Sequence, residues 1–93
     1  MVTSVRVRIE GRVQGVGFRY WVVREAERVG VAGWVRNRRD GSVEALFSGS
    51  ETLIRRIVTR CHEGPPVAYV TRIQESVAEP PEISGFHSLP TAP

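Results

Sequence analysis

The segment Ser4-Val5-Arg6-Val7-Arg8-Ile9-Glu10-Gly11-Arg12-Val13-Gln14-Gly15-Val16-Gly17-Phe18-Arg19-Tyr20-Trp21-Val22 changes hydrophobic period twice, and those changes decide the fold. From Ser4 to Glu10, Val5, Val7 and Ile9 alternate strictly with Arg6, Arg8 and Glu10, the period-2 signature of a half-buried strand. Gly11, Gly15 and Gly17 then interrupt a stretch without periodicity, which reads as a loop. From Phe18 the period becomes helical: Phe18, Val22, Ala26 and Val29 share one face, while Arg24, Glu25, Glu27 and Arg28 supply the charged surface. Gly30 is a natural helix stop.

Working outward, Gly33 to Arg38 forms a second strand and Asp40-Gly41 is a strong hairpin signal. Ser42 to Phe47 returns, with Val43, Ala45 and Phe47 alternating against Ser42, Glu44 and Leu46. Ser50 caps a second helix, with Glu51 in its first turn. That helix carries the apolar stripe Leu53, Ile54, Ile57, Val58 and Cys61, and Gly64-Pro65-Pro66 ends it. Val67 to Val77 includes the last main strand, clearest from Thr71 to Val77. After Pro80-Pro81, Ile83 to Leu89 reads as a short fifth edge strand and Pro90 to Pro93 as a frayed tail.

The order β-α-β-β-α-β belongs to the α+β class. It predicts a ferredoxin-like two-layer sandwich, with two helices on one face of an antiparallel sheet and a short fifth edge strand. In that topology the first and second strands run parallel with the third antiparallel between them. No repeat or compositional break divides the chain, so residues 1–93 are expected to be a single domain, core about 4–89 and tail 90–93.

Composition narrows the function. The 93 residues allow one modest core, and 41% hydrophobic with 25% charged residues is ordinary for a globular chain. All 13 basic residues are Arg, against 10 acidic ones. Without Lys there is no Schiff-base lysine and no Walker-type phosphate lysine, so any cationic grip on an anion falls to Arg, whose planar fork suits phosphate oxygens. Cys61 is the only cysteine. It precludes an internal disulfide, fits a reducing cytoplasm and reads as a small core hydrophobe. No apolar run approaches the roughly 20 residues of a membrane span. Met1 to Arg6 alternates instead of building an apolar signal core. His62 and His87 lack metal-ligand spacing, so no metal and no other cofactor is expected. No partner-binding patch is visible, and a monomer is expected.

The loop from Gly11 to Arg19 has the ingredients of an anion cradle. Gly15 and Gly17 permit positive φ and close backbone approach, the free N–H groups of a helix start point at a ligand, and the helix dipole favours negative charge there. Arg19 adds a guanidinium at the helix opening. Spacing alone serves a purely structural connection equally well, and both readings stand at this point. The glycine order departs from the dinucleotide fingerprint Gly-x-Gly-x-x-Gly and lacks the Gly-Lys-Ser/Thr ending of a Walker loop.

Gly11-Arg12-Val13-Gln14-Gly15-Val16-Gly17-Phe18-Arg19 resembles the first signature of the acylphosphatase family. Gly33-Trp34-Val35-Arg36-Asn37-Arg38-Arg39-Asp40-Gly41-Ser42-Val43, followed by Gly49, resembles the second. Gly64-Pro65-Pro66-Val67-Ala68-Tyr69-Val70 is similar to the family's stretch after the second helix, and the likeness runs from about Val5 to Val77. Residues Ile83 to Pro93 are less typical, because the family commonly finishes with a clearer strand.

The resemblance implies a hydrolase that cleaves the carboxyl–phosphate bond of a small-molecule acyl phosphate, without metal or covalent intermediate. It assigns phosphate binding to Gln14, Gly15, Val16, Gly17, Phe18 and Arg19, through loop amides and the Arg19 side chain, and assigns orientation of the attacking water to Asn37. Those roles suit phosphoryl transfer, which needs mainly positioning and stabilisation of charge on the equatorial oxygens. Without the resemblance, Asn37 reads as a polar residue near a turn, Trp21 and Trp34 as packing anchors, and Ser42 as support for the turn. The alternative is a non-catalytic anion-binding module of the same family. A nucleic-acid-binding domain of this topology would need aromatics on its strands, and Val5 to Ile9 offers none; no nucleic acid and no membrane partner is expected.

Overall fold

In the computed structural model, which describes residues 2–93, the alternating segment is a central strand. Met1, the first residue of the N-terminal alternation, lies outside the described residues. Strand β1 (Thr3–Arg12) buries Val7 and Ile9 and exposes Arg6 and Arg8. The glycine loop leads into α1 (Phe18–Val29), which ends on Gly30, whose N–H donates to the Ala26 carbonyl. Strands β2 (Ala32–Asn37) and β3 (Val43–Gly49) form the hairpin around Asp40-Gly41. Helix α2 (Glu51–Glu63) is capped by Ser50, whose side chain accepts from the Leu53 amide. Strand β4 (Tyr69–Val77) follows, and then the short β5 (Phe86–Ser88).

The sheet order is β4-β1-β3-β2-β5. Antiparallel ladders join β1 to β3 and β4, and β2 to β3, so β1 and β2 run parallel with β3 between them, as the sequence predicts. The fifth strand lies within the expected segment but is shorter, and it pairs parallel to β2, with Gly33 opposite Phe86 and Val35 opposite Ser88. Four antiparallel strands with one parallel edge make the whole sheet mixed. A crossover is required because β4 lies at the opposite edge, so the chain must traverse the sheet before β5 can pair.

Helices α1 and α2 cover one face. Phe18, Val22 and Ala26 from α1 and Ile54, Ile57, Val58 and Cys61 from α2 pack on Val7, Ile9, Val35, Val43, Ala45 and Phe47. Leu53, expected in the stripe, is only half-buried. Phe86 brings β5 into this core by stacking on Phe47, with ring centroids 5.7 Å apart. Trp21 packs against Phe18 at 5.6 Å, whereas Trp34 is half-buried beneath the Arg36 guanidinium, 4.6 Å from its ring centroid.

The other sheet face is organised by Glu44, which is nearly buried and meets Arg36 at 2.8 Å, Arg38 at 3.1 Å and Arg6 at 3.7 Å. Burial raises the Glu44 carboxyl, but the bonds and charges of Arg36 and Arg38 outweigh that effect and hold it below the ordinary carboxylate range. Arg36 and Arg38 are therefore tied to one shared carboxylate and not free in solvent.

The tail corrects the expectation of fraying. Ala92 is buried, donates its N–H to the Asn37 carbonyl at 2.9 Å and accepts from the Arg39 amide at 3.1 Å. Arg38 also donates to the Pro93 carbonyl at 2.8 Å. These bonds are made by the main chain of Ala92 and Pro93, whose side chains announce no strand, so composition alone suggests disorder. Among the described residues no helix is long and apolar enough to cross a membrane.

Candidate active site

The site begins where β1 stops. Between Arg12 and Phe18 the chain must reverse from strand to helix, and Gly15 and Gly17 do so at φ values of 73° and 79°. That left-handed region strains any residue with a Cβ, and among the described residues only glycines enter it. Gly17 is also the helix N-cap and has no side chain with which to cap. The backbone amides from Gly15 to Tyr20 consequently find no acceptor among the described residues. Trp21, donating to the Gly17 carbonyl at 3.0 Å, is the first amide of the helix to be satisfied. A run of free N–H groups at the positive end of a helix dipole is an anion site in waiting.

Arg19 stands in the first turn of α1, half-buried. Arg8, Arg36, Arg38 and Arg60 each meet a carboxylate. No carboxylate among the described residues pairs with Arg19, so its guanidinium is available to an external anion.

Asn37 is the last residue of β2. Its carbonyl is engaged by Ala92, while its carboxamide makes no hydrogen bond within the described residues. The hairpin beyond it is rigidly built. Arg38 N–H donates to the Ser42 carbonyl at 2.9 Å, and Gly41 N–H to the Arg38 carbonyl at 3.1 Å. Asp40 Oδ1 accepts from the Ser42 amide at 2.9 Å and from Ser42 Oγ at 2.6 Å. Asp40 also pairs with Arg8. The Ser42 hydroxyl and amide bonds, followed by the charges of Arg8 and Arg38, hold the Asp40 carboxyl below its usual range. Asp40 is thus an ionised turn anchor, and Ser42 supports the turn as expected.

Gln14 links the two halves. Its Nε2 donates to the Arg38 carbonyl at 2.7 Å and to the Ser42 carbonyl at 2.8 Å, fastening the glycine loop to the hairpin that carries Asn37. The carboxamide nitrogen is therefore a strut, and the donor that Gln14 has left for an anion is its main-chain N–H.

A cavity of about 450 Å³ lies between the loop, the start of α1 and the ends of β2 and β5. It brings together Gln14, Gly15, Gly17, Phe18, Arg19 and Asn37. Val16 does not line it; that side chain is half-buried against the edge of the core. Phe18 is 1% exposed, so its ring belongs to the core and its amide to the loop. Val13, Tyr20, Val23 and Ser88 complete the walls and were absent from the sequence-based site. Tyr20 and Val23 were within reach of helical spacing from Arg19. Ser88 was not, because its place depends on the parallel pairing of β5 with β2.

Fold and site define an α+β sandwich with a glycine-rich loop of unpaired amides at the corner between its first strand and first helix. The chain matches the profile of the acylphosphatase family over residues 5–88 and belongs to that family. It is 63% identical over 70 residues to the acylphosphatase of Nitrobacter winogradskyi, covering 75% of this chain and 71% of that relative. The crystal structure of acylphosphatase from Bacillus subtilis superposes with a TM-score of 0.88 at 40% identity, covering 96% of this chain and 99% of that one. Full-length HypF in its phosphate- and nucleotide-bound form contains a similar unit, with a TM-score of 0.89 at 27% identity, covering 98% of this chain but 12% of HypF.

Proposed function

We propose that residues 1–93 form one acylphosphatase domain that hydrolyses acyl phosphates to a carboxylate and inorganic phosphate, acting as a cytoplasmic monomer. Family membership supports the activity, and the lone reduced cysteine supports the compartment. The observation that carries the residue assignment is convergence: the unpaired Arg19 guanidinium, loop amides without acceptors and a free Asn37 carboxamide share one cavity.

In this reading Arg19 and the amides of the 14–19 loop hold the phosphoryl oxygens and stabilise the charge that spreads over them in the transition state. The Asn37 Oδ1 accepts a hydrogen bond from water and aims its lone pair at phosphorus. The water oxygen bonds to phosphorus, the bridging oxygen leaves with its electron pair as the carboxylate, and a phosphoryl oxygen takes the water proton. A carboxylate is a good leaving group, so an amide that orients water suffices without a strong base.

The test is hydrolysis of benzoyl and acetyl phosphate in the presence of EDTA. Arg19→Ala and Asn37→Ala are each expected to lower kcat/KM by about 100-fold or more while keeping the fold. Near-native turnover by both variants would falsify the assignment. The match to a small part of HypF keeps a second reading, an anion-binding module; phosphate binding without turnover of any acyl phosphate would favour it. A nucleic-acid partner is not proposed: Arg36 and Arg38 are held in ion pairs with Glu44, and β1 offers no aromatic on which a base could stack.

A further inference from the structure

The cavity is larger than a phosphoryl group and one water require. Its volume of about 450 Å³ lies in the roughly 300–1,000 Å³ range of small-molecule pockets, so the acyl portion of a substrate also fits inside. We propose that Tyr20 and Val23 form an acyl subsite that selects acyl phosphates with an aromatic acyl group. The proposal rests on the hydrolytic reading above and names its substrate class.

The helix dictates the placement. Arg19 and the amides of the first turn pin the phosphoryl group at the start of α1. Tyr20 follows immediately, and Val23 lies three residues further, on the same stripe as Tyr20. Both line the same cavity as Arg19 and Asn37. One bridging oxygen separates phosphorus from the acyl carbon, so the acyl substituent must lie beside whatever borders the phosphate cradle. On the loop side Gly15 and Gly17 present no side chain, and a Cβ at either position would meet nothing within 4 Å. The substituent therefore has open space on one side and the Tyr20–Val23 wall on the other.

Tyr20 is not a packing residue. The core face of α1 is made by Phe18, Val22 and Ala26, while Tyr20 is 69% exposed and its hydroxyl bonds to nothing among the described residues. Its ring is nevertheless held: the Arg24 guanidinium, one turn along, lies 5.6 Å from the ring centroid. A cation–π contact that fixes an exposed ring lowers the entropy lost when a second planar group settles on it. A benzoyl group offers such a plane and an acetyl group does not, so the preference appears as a ratio between the two substrates.

The experiment compares kcat/KM for benzoyl and acetyl phosphate in the wild type, Tyr20→Ala and Tyr20→Phe. Tyr20→Ala is expected to lower the benzoyl-to-acetyl ratio about threefold to tenfold, through KM, as the loss of one aromatic contact implies. Tyr20→Phe keeps the ring and should hold the ratio within about twofold of wild type. An unchanged ratio in Tyr20→Ala, or equal loss in Tyr20→Phe, overturns the subsite. Titration with benzoylphosphonate and acetylphosphonate, which cannot be hydrolysed, reads the same contrast as affinity. If wild-type protein hydrolyses neither acyl phosphate yet the phosphonate contrast depends on the ring, the hydrolytic reading fails and the subsite stands. If both are hydrolysed with a ratio indifferent to Tyr20, the subsite alone fails. If neither acyl phosphate is hydrolysed and neither phosphonate binds, both are refuted.

Discussion

Replacing Gln14 tests whether the two halves of the site are held in register by a single side chain. Gln14→Ala deletes the hydrogen bonds at 2.7 and 2.8 Å to the Arg38 and Ser42 carbonyls. Neither acceptor is orphaned: Arg38 O still receives Gly41 N–H, and Ser42 O still receives Arg38 N–H. The cost is therefore that of two ordinary hydrogen bonds, about 1–3 kcal/mol together, without the further penalty of a buried unsatisfied carbonyl. Gln14→Glu is nearly isosteric but replaces the donor with a carboxylate facing two carbonyl oxygens, so it should destabilise more than the alanine variant. Urea unfolding measures both changes as shifts in midpoint at constant m-value. Because the strut sets the loop amides against Asn37, kcat/KM for benzoyl phosphate should fall about 10- to 100-fold in Gln14→Ala. The reasoning is refuted if Gln14→Ala unfolds within about 0.5 kcal/mol of wild type with unchanged kinetics, or if Gln14→Glu is the more stable of the two.

Gly17→Ala should cost about 1–2 kcal/mol from backbone strain alone, since φ is 79° and the added methyl meets nothing within 4 Å. It should also weaken inorganic phosphate binding; an increase in Tm, the usual result of Gly→Ala where φ is negative, would contradict the geometry. Burial pushes the Cys61 thiol up to about 12, so above the unfolded value near 9 the folded state binds the extra proton and stability falls as pH rises. The expected slope is about −1.4 kcal/mol per pH unit between roughly pH 9 and 11, a window with no lysine titration, and Cys61→Ala should flatten it in pH-dependent urea melts. The same burial predicts no labelling of native Cys61 by a thiol reagent at pH 8 and rapid labelling once the chain unfolds.

Much of this protein was legible because local chemistry announces itself. Alternation from Val5 to Ile9, helical spacing from Phe18 to Val29, the Asp40-Gly41 turn and the Ser50 cap each act within a few residues, and each stands where the sequence places it. Gly15, Gly17 and Arg19 were legible as a strand-to-helix link with free amides and a guanidinium beside it, whereas its reading as an anion site came from the family resemblance. Asn37 was different: its spacing from a turn said little until the two signatures were taken together.

Tyr20 illustrates the opposite limit. It sat in plain view beside Arg19, but whether a tyrosine on α1 packs, floats or walls a cavity depends on which helix face the sheet covers. The Gln14 strut joins residues 24 and 28 positions apart, and no local pattern encodes a bond whose acceptors are backbone carbonyls. Ser88 and Ala92 reach β2 only because the chain crosses the sheet after β4 and pairs in parallel, a choice made by Phe86 stacking on Phe47 and by main-chain bonds that any residue can make. Sequence alone determined the elements, their order and the glycine-rich link that ends at Arg19, since periodicity, turn chemistry and helix capping are short-range. Tertiary structure decided what the cradle faces: the strut that aligns it with Asn37, the aromatic wall beside it and the pinned C-terminus, all products of contacts between residues distant along the chain.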